Sequence, residues 1–185
     1  FTEQYKKNPA ITTVTHRNFN RIDNFSAFLT ASPAVGSWHP QLTVGVQKQW
    51  AKIEHNGETL QMDTPLFFCT LNNGIQLPYH WTLSTDINFQ SKGDYQNIYM
   101  YQNVFMMNAT LTKSFLNEHL SIHLQGIDLT HGRKDGNRIY NKHMNMDVAN
   151  VSDSRELRFT IRYKFNTAKS KYKGKGAATE EIKRL

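Results

Sequence analysis

The feature that most constrains the fold is a two-residue alternation of apolar and polar side chains, which is clearest in RELRFTIRYKF at 155–165. Successive side chains of a β-strand point to opposite faces, so this segment predicts a strand with two different faces. The apolar face carries Leu157, Phe159, Ile161, Tyr163 and Phe165. The polar face carries three cations, Arg158, Arg162 and Lys164, together with Thr160.

The same alternation recurs along most of the chain. It predicts seven further strands, of which the first is the weakest: 10–17, 24–35, 41–51, 67–77, 81–90, 104–115 and 120–126. No segment predicts a helix, apart from a modest helical propensity from about Ala177 onward. Strands of about ten residues have the length that a tilted strand needs to cross the hydrocarbon core of a bilayer.

The connections between these strands alternate in length. Short connections are predicted at 34–41, 78–80 and 116–119, and long ones at 52–65, 91–103 and 130–154. Tight turns at one end and long loops at the other are typical of an outer-membrane barrel. If the strand directions are assigned alternately, counting back from 155–165, all short connections lie on one side of the membrane and all long ones on the other. This holds only if the partly alternating segment 140–148 is part of the long external loop 130–154 and does not cross the membrane. Aromatic residues crowd the strand ends, as in the girdles of such barrels: Trp38, Tyr79, Trp81, Phe89, Tyr99, Tyr101, Phe105, Phe115 and Phe165.

Composition narrows the class of protein further. No run approaches the 18 or so apolar residues of a membrane-spanning helix, while a mean hydropathy of −0.61 is compatible with barrel strands that are only half apolar. The net charge is +7, and residues 169–185 alone contribute six basic and two acidic residues. Because no basic helix or nucleic-acid-binding motif accompanies this charge, nucleic acid is not predicted as a partner. The single cysteine, Cys69, excludes an intrachain disulfide.

Catalytic and metal sites are not predicted. The eight histidines lack HExxH or paired spacing. The run His143-Met144-Asn145-Met146 is a weak indication of a soft metal such as copper. There is no GxSxG and no GxxxxGK[ST] motif, and Asp86 is interpreted as one of many polar lumen residues rather than a general acid. No cofactor is expected.

The string FTIRYKFNTAKSKYKGKGAATEEIKRL at the end of the chain resembles the C-terminus of TonB-dependent-receptor-like outer-membrane β-barrel proteins of Bacteroidetes. TLTKSFLNEHLSIHLQGIDL at 110–129 is similar to the penultimate strand pair of that family, and SPAVGSWHPQLTVGVQKQW to one of its strand-turn-strand units. The resemblance covers most of residues 20–185.

The resemblance implies an all-β, antiparallel, up-and-down transmembrane β-barrel, with this chain supplying the C-terminal strands of a barrel of about 22 strands. It implies a barrel part at 1–166 with about eight strands, and a basic periplasmic extension at 167–185. The chain begins at Phe1 and shows no plug domain, which predicts a fragment or a processed product. The expected location is the bacterial outer membrane.

The function implied is ligand uptake, with iron chelates, haem, glycans, peptides and vitamins all open. The expected partners are outer-membrane lipid, the missing N-terminal strands and plug domain, the energy-coupling TonB system and the barrel assembly machinery. External loops would contact the ligand through Tyr95, Tyr99, Tyr101 and Arg133. No enzymatic activity is expected.

The same reading assigns the two faces of 155–165. A lipid-facing cation costs about 2–4 kcal/mol near the midplane, so Arg158, Arg162 and Lys164 are predicted to face the lumen. Tyr163 and Phe165 are predicted to close the barrel and to serve as its assembly signal.

Two alternatives remain at this point. The first is a self-contained eight-stranded barrel that acts as a binding or structural protein or as a lipid-modifying enzyme. It requires strand 10–17 to pair with 155–165. The second is a soluble β-sandwich, in which 155–165 would be an edge strand.

Overall fold

The computed structural model describes residues 2–8, 11–142 and 144–165. Within these ranges the structure is almost entirely antiparallel β-sheet, with one 3₁₀ turn at Pro78–His80. The strands are β1 Thr2–Asn8, β2 Ile11–His16, β3 Ile22–Ala31, β4 Trp38–His55, β5 Glu58–Met62, β6 Leu66–Leu77, β7 Trp81–Gln90, β8 Gly93–Tyr95, β9 Ile98–Met100, β10 Val104–Phe115, β11 Leu120–Ile127, β12 Lys134–Tyr140, β13 Asn145–Val151 and β14 Glu156–Tyr163. The predicted extension at 167–185 lies outside the described residues, as does His143.

The largest sheet has the order β14-β11-β10-β7-β6-β4-β3, and β5 adds to the outer half of β4. All its pairs are antiparallel, and the short connections 32–37, 78–80 and 116–119 lie at one end. We call this sheet the wall. The predicted all-β antiparallel fold is therefore confirmed.

The first predicted strand lies elsewhere. Segment 10–17 forms β2, but β2 pairs with β1 in a separate two-stranded sheet. In the described residues β14 pairs with β11 alone and β3 pairs with β4 alone. The pairing of 10–17 with 155–165 that a self-contained barrel requires is thus not among the strand pairs of the described chain.

The three long loops contain strands that the sequence analysis did not predict. β4 continues to His55, four residues beyond its predicted end, and returns as β5. Residues within 91–103 and 130–154 form a four-stranded sheet of order β13-β12-β9-β8, which we call the external sheet. Tyr140 and residues 145–148 pair within this sheet and not within the wall, as predicted. The unpredicted strands of the loops are short and form local hairpins, β5 with β4, β8 with β9 and β12 with β13. Among the described pairs of these strands, the pairing of β9 with β12 is the one that joins distant parts of the chain.

The outward face of the wall is apolar and exposed. Strand register aligns Phe159, Leu124, Leu111 and Leu83 in one row across four strands. On β14, Leu157 is 76% exposed. The buried apolar residues of the described chain, Ala51, Ile53, Met62 and Leu66, instead lie near the end of the wall that carries the long connections. This inverted distribution is what a lipid-facing sheet requires, because its apolar face is buried by the bilayer rather than by protein.

Two exceptions to the alternation have physical explanations. Lys113 lies at the short-turn end, where its ammonium donates to the carbonyl of Tyr79 and lies 5.2 Å from the Trp81 ring. Its charge therefore reaches the membrane boundary although its backbone is on the apolar face. Thr85 accepts a hydrogen bond from Asn73 Nδ2 at 3.0 Å, so two outward polar side chains satisfy each other.

In the described part of the chain, no helix has the length and apolar character to cross a membrane.

Candidate functional site at the external mouth

The turn between β8 and β9 reaches across the open end of the wall. Gln49, on the inward face of β4, donates from Nε2 to the carbonyl of Gln96 at 2.8 Å and accepts from the Gln96 amide at 2.7 Å. Gln49 is only 3% exposed. Because β8 and β9 connect β7 to β10, this contact carries the hairpin past β6 to β4. The hairpin is folded inward over the mouth.

The base of the same hairpin is fixed against the segment before β6. Thr64 and Asp94 exchange two hydrogen bonds, from the Thr64 amide to Asp94 Oδ2 at 2.7 Å and from the Asp94 amide to the Thr64 carbonyl at 2.9 Å. A Cβ at Gly93 would lie 2.6 Å from the carbonyl oxygen of Pro65, so the close approach requires glycine. Burial raises the pKa of the Asp94 carboxyl more than the hydrogen bonds from Thr64 lower it.

The β12–β13 half of the external sheet is tied to the turn of the β8–β9 hairpin and to the tip of β4 and β5. The buried Asn97 donates from Nδ2 to the carbonyl of Tyr140 at 2.9 Å and to that of Thr2 at 3.2 Å. At the β4–β5 turn, His55 Nδ1 lies 2.6 Å from the carbonyl of Asn141. Lys142 forms an ion pair with Glu54 at 3.1 Å. These contacts hold the turn between β12 and β13 beside the β4–β5 tip.

A small apolar core lies between the two sheets. The inward positions of β4 change from polar to apolar above Gln49, at Ala51 and Ile53. The core consists of Ala51, Ile53 and Met62, with Phe19, Ile22, Leu60, Tyr99 and Tyr140 packed against it. The external sheet therefore has a hydrophobic anchor of its own, which makes the mouth a folded unit rather than a set of loops.

A turn after β11 is organised by the buried carboxylate of Asp128. Oδ1 accepts from the Gly132 amide at 2.8 Å, and Oδ2 accepts from the Arg133 amide at 3.2 Å and from the Ser154 hydroxyl. The Asp128 amide donates to Asn108 Oδ1 at 2.9 Å. Burial raises the pKa of Asp128, but the hydrogen bonds, led by that from Ser154, outweigh it and hold the pKa below its usual value. The turn lies beyond the membrane-crossing strands and fixes the position of Arg133.

A cavity of about 520 Å³ lies between the inward face of the wall and the external sheet. Its lining comprises Gln90, Met100, Gln102, Val104, Met106, Arg133, Lys134, Gly136 and Asn137. Gln90 donates to Met100 Sδ at 2.7 Å and so joins the wall to the external sheet. Among the side chains that the structure describes, the lining contains two cations, three side-chain amides and no carboxylate. Such a surface suits a ligand with negative charge and several hydrogen-bonding groups.

The four residues predicted to contact a ligand occupy different positions. Arg133 lines the cavity. The Tyr101 ring packs over Gly136, where a Cβ would lie 2.5 Å from its Cε2 atom. Tyr99 packs against the apolar core, and Tyr95 is exposed at the end of β8. The structure thus brings Arg133 and Tyr101 to the cavity region, and the ligand-binding role of all four stays a prediction.

The residues predicted for the lumen and for closure lie on β14 or just after it. Arg158 forms an ion pair with Glu156 at 2.9 Å, and Arg162 pairs in register with Ser121 on the polar face. The Lys164 amide donates to the carbonyl of His119 at 2.8 Å. The Tyr163 and Phe165 rings are in edge contact, with centroids 4.6 Å apart. Their roles in the lumen, in closure and in assembly stay predictions.

Among the described residues, no three His, Cys, Asp or Glu side chains are grouped as a metal site would require. His123 has both ring nitrogens in hydrogen bonds, with Thr112 at 3.0 Å and Ser121 at 2.9 Å. The predicted soft-metal run at 143–146 begins at a residue outside the described ranges.

Several residues of the mouth were missed by sequence reasoning: Gln49, Gln90, Asn97, Gln102, Asp128, Lys134 and Asn137. A signal existed for Gln49 and Gln90, since both occupy polar-face positions near the long-loop ends of their strands. Asp128 carries no such signal, because its partner Ser154 is 26 residues away.

The comparisons with known proteins gave one match. The family model described as "Outer membrane protein beta-barrel family" matches residues 1–163. No curated protein matches the chain, and no solved structure does.

Proposed function

The chain belongs to the outer membrane protein beta-barrel family, which places it in the bacterial outer membrane, and on that premise we propose that it is part of a TonB-dependent receptor-like transporter of the Bacteroidetes type. In this proposal the wall is one segment of the barrel, and the external sheet is part of the ligand-receiving mouth. The transporter takes up a ligand and does no catalysis.

The observation that carries the proposal is the cavity beneath the external sheet. Its lining joins inward wall residues, such as Gln90 and Met106, to Arg133 and Lys134 of the external excursion. A ligand bound there touches both the outside of the cell and the barrel interior. This is the arrangement expected of a receptor that binds its ligand before transporting it. A wide, open pore would not require a binding cavity at its mouth.

The chemistry of the cavity indicates how capture works. The guanidinium of Arg133 and the ammonium of Lys134 attract an anionic group, and the amides of Gln90, Gln102 and Asn137 supply orienting hydrogen bonds. Iron chelates, haem and acidic glycans all carry such groups. Transport then draws on the TonB system through the full-length protein and its plug domain.

The two edge strands of the wall support a barrel that contains further strands. β3 and β14 each have one strand neighbour in the described residues. An unpaired strand edge in hydrocarbon leaves backbone groups without hydrogen bonds, which costs several kcal/mol per group. We propose that strands of the same receptor cover both edges, and that the barrel assembly machinery inserts the completed wall.

The deciding experiment is the intact mass of the native gene product from the outer-membrane fraction. We expect a mass several times the 21.5 kDa of this chain, with these residues in its barrel. Uptake of iron citrate, haem or acidic glycans should stop when the energy-coupling protein is deleted. A membrane-embedded species with the mass of this chain alone would support the self-contained barrel instead.

The cavity is tested by Arg133→Gln combined with Lys134→Gln in the full-length protein. We expect weaker binding of the anionic ligand identified in the uptake screen, with wall assembly unchanged. Lys92→Gln is the control, because Lys92 is an exposed cation of the neighbouring long loop 91–103 and is not among the residues that line the cavity.

A further inference from the structure

A second group of cations lies on the opposite, outward face of the wall. Three outward residues occupy every second position of β4: Lys48, Trp50 and Lys52. The register places Trp50 opposite Asp23 and Lys52 opposite Gln61. Arg21 precedes β3 and forms an ion pair with Asp23 at 2.8 Å. We call Arg21, Lys48, Trp50 and Lys52 the boundary cluster.

The height of the boundary cluster follows from strand geometry. Trp38 lies at the short-turn end of β4, and Trp50 is on the same face twelve residues later. At about 3.3 Å per residue this is about 40 Å along the strand, or about 30 Å across a bilayer after a tilt of about 40°. Leu42, Val44 and Val46 lie outward in between. Trp50 therefore marks the external boundary of the hydrocarbon layer, and the cations lie at the level of the lipid headgroups.

Lys48 and Lys52 retain their charge for a ligand, whereas Arg21 shares its charge with Asp23. Nearby carboxylates have other partners, since Glu54 pairs with Lys142 at 3.1 Å and Asp63 accepts from Gln61 at 2.8 Å. Lys48 Nζ lies 5.1 Å from the Trp50 ring. In the described ranges, no carboxylate forms an ion pair with Lys48 or Lys52.

The cluster also has a concave surface. A cavity of about 350 Å³ is lined by Asn20, Arg21, Asp23, Trp50, Ala51, Lys52 and Gln61. The indole of Trp50, 44% exposed, supplies its apolar part, and Arg21, Lys52 and Gln61 supply donors. The Asp23 carboxylate also lines the cavity and is paired with Arg21, so the described lining and Lys48 together still carry a net positive charge. Below it, the exposed Phe25 and Phe67 continue the apolar surface toward the middle of the wall. An occupant must therefore combine an anionic headgroup above with acyl chains below.

We propose that the boundary cluster binds the phosphorylated headgroup of an outer-leaflet lipid. The phosphate accepts hydrogen bonds from Arg21 and Lys52, Lys48 adds charge, and the acyl chains lie along the apolar face. The proposal uses only the membrane location of the chain and is independent of the transported ligand. Lys113, the cation at the opposite boundary, differs because its ammonium is bonded to the Tyr79 carbonyl.

The test uses the full-length gene product purified from outer membranes, and bis-phosphorylated lipid A as the probe. Bound lipid is counted by native mass spectrometry. We expect the combined variant Arg21→Gln, Lys48→Gln and Lys52→Gln to bind about 100-fold more weakly, at about fivefold per basic residue. Lys113→Gln is the matched control and should bind as the unaltered protein does.

Two further arms make the result independent of any folding defect. Lipid A stripped of phosphate should bind the unaltered protein much more weakly, and millimolar inorganic phosphate should not displace the intact lipid. Equal binding of the stripped lipid would overturn the proposal in favour of purely apolar contact. Full displacement by inorganic phosphate would overturn it in favour of a free-anion site, and unchanged binding by the triple variant would overturn it directly.

Discussion

At the scale of single residues, buried polar side chains at the mouth supply the partners that the backbone lacks where strands end. Gln49 satisfies both backbone groups of Gln96, and the Asp128 carboxylate accepts hydrogen bonds from two amides and two hydroxyls. Each replaces hydrogen bonds that a regular ladder would otherwise make. A buried backbone group without a partner costs about 1–3 kcal/mol, so these side chains stabilise the mouth locally.

Replacing Gln49 with Leu should release the hairpin at 93–100. Both backbone groups of Gln96 lose their partner, so hydrogen-exchange protection of the hairpin amides should fall at least about tenfold, while protection in β7 and β10 is retained. Gln47→Leu is the matched control, since Gln47 is the preceding inward residue of β4 and pairs with Leu66 in the wall. Equal loss of protection in both variants would show that Gln49 has no special role.

Replacing Asp128 with Asn should open the turn that carries Arg133. Hydrogen bonds to a charged group contribute about 1.5–3 kcal/mol, so trypsin cleavage after Arg133 or Lys134 should become at least about tenfold faster. Asp153→Asn, at an exposed neighbouring position, should leave the cleavage rate unchanged. An unchanged rate for Asp128→Asn would contradict the assignment.

The Asp128 turn should also depend on pH. Its folded-state pKa is lowered, so the ionised form stabilises the turn above the unfolded pKa of about 3.9, and this contribution is lost as the pH falls through the folded pKa. Hydrogen exchange of residues 128–133 should therefore lose protection in acid in the unaltered protein. The Asp128→Asn variant should lack this pH dependence.

At the scale of the strand, the main strands of the wall have one apolar face, which is predicted to meet lipid, and one polar face, which is predicted to meet the lumen. On β10, Ala109 faces outward between Thr85 and Gly126, and Thr110 faces inward between Ser84 and Gln125. These neighbours lie near the middle of the strand, so the two positions experience similar depth and opposite environments. The same substitution at the two positions therefore compares the free energy of placing a side chain toward lipid with that of placing it toward the lumen.

Arg substitution at the two positions should have opposite outcomes. Ala109→Arg places a cation in hydrocarbon near the midplane, where it costs about 2–4 kcal/mol. Thr110→Arg places the same cation in the wet interior and should be tolerated. Urea-induced unfolding of the full-length barrel in lipid vesicles measures both, and equal destabilisation would contradict the assignment of the faces.

At the scale of the whole molecule, the wall is a sheet with two edges in the described residues. Soluble sheets blunt their edges with charge or cover them, whereas a membrane sheet removes them by closure. β14 presents its apolar face to lipid, but its free backbone edge needs a strand. In the proposed receptor, the stability of the wall therefore depends on the strands that cover its two edges.

The chain on its own should not form a single stable monomer. Refolded in detergent, it should give oligomers joined edge to edge or aggregates, because the edges of β3 and β14 pair with other copies. Analytical ultracentrifugation measures the distribution. A monodisperse monomer in detergent would show that the edge strands β3 and β14 of one chain pair with each other. A monodisperse monomer in aqueous buffer would contradict the prediction that the wall spans a membrane.

The sequence by itself determined the elements of the wall. β3, β6, β7, β10, β11 and β14 lie within or close to their predicted segments. Period-two alternation is a local property of a strand between two different solvents, so it is readable without knowledge of any partner. The short turns and the antiparallel order follow from the same pattern. The aromatic girdles stay a prediction, and two residues assigned to them lie elsewhere, since Tyr99 packs against the apolar core and Tyr101 over Gly136.

Only the tertiary structure decided the mouth. Gln49 and Gln96 are 47 positions apart, and His55 and Asn141 are 86 apart. Short strands such as β8 and β9 carry no periodic signal, and their position depends on which loop folds inward and finds a buried polar partner. The pattern expected of a lipid-facing sheet extends along the wall strands, with Lys113 and Thr85 as exceptions, whereas single long-range contacts place the external sheet. This difference separates what could be predicted from what could not.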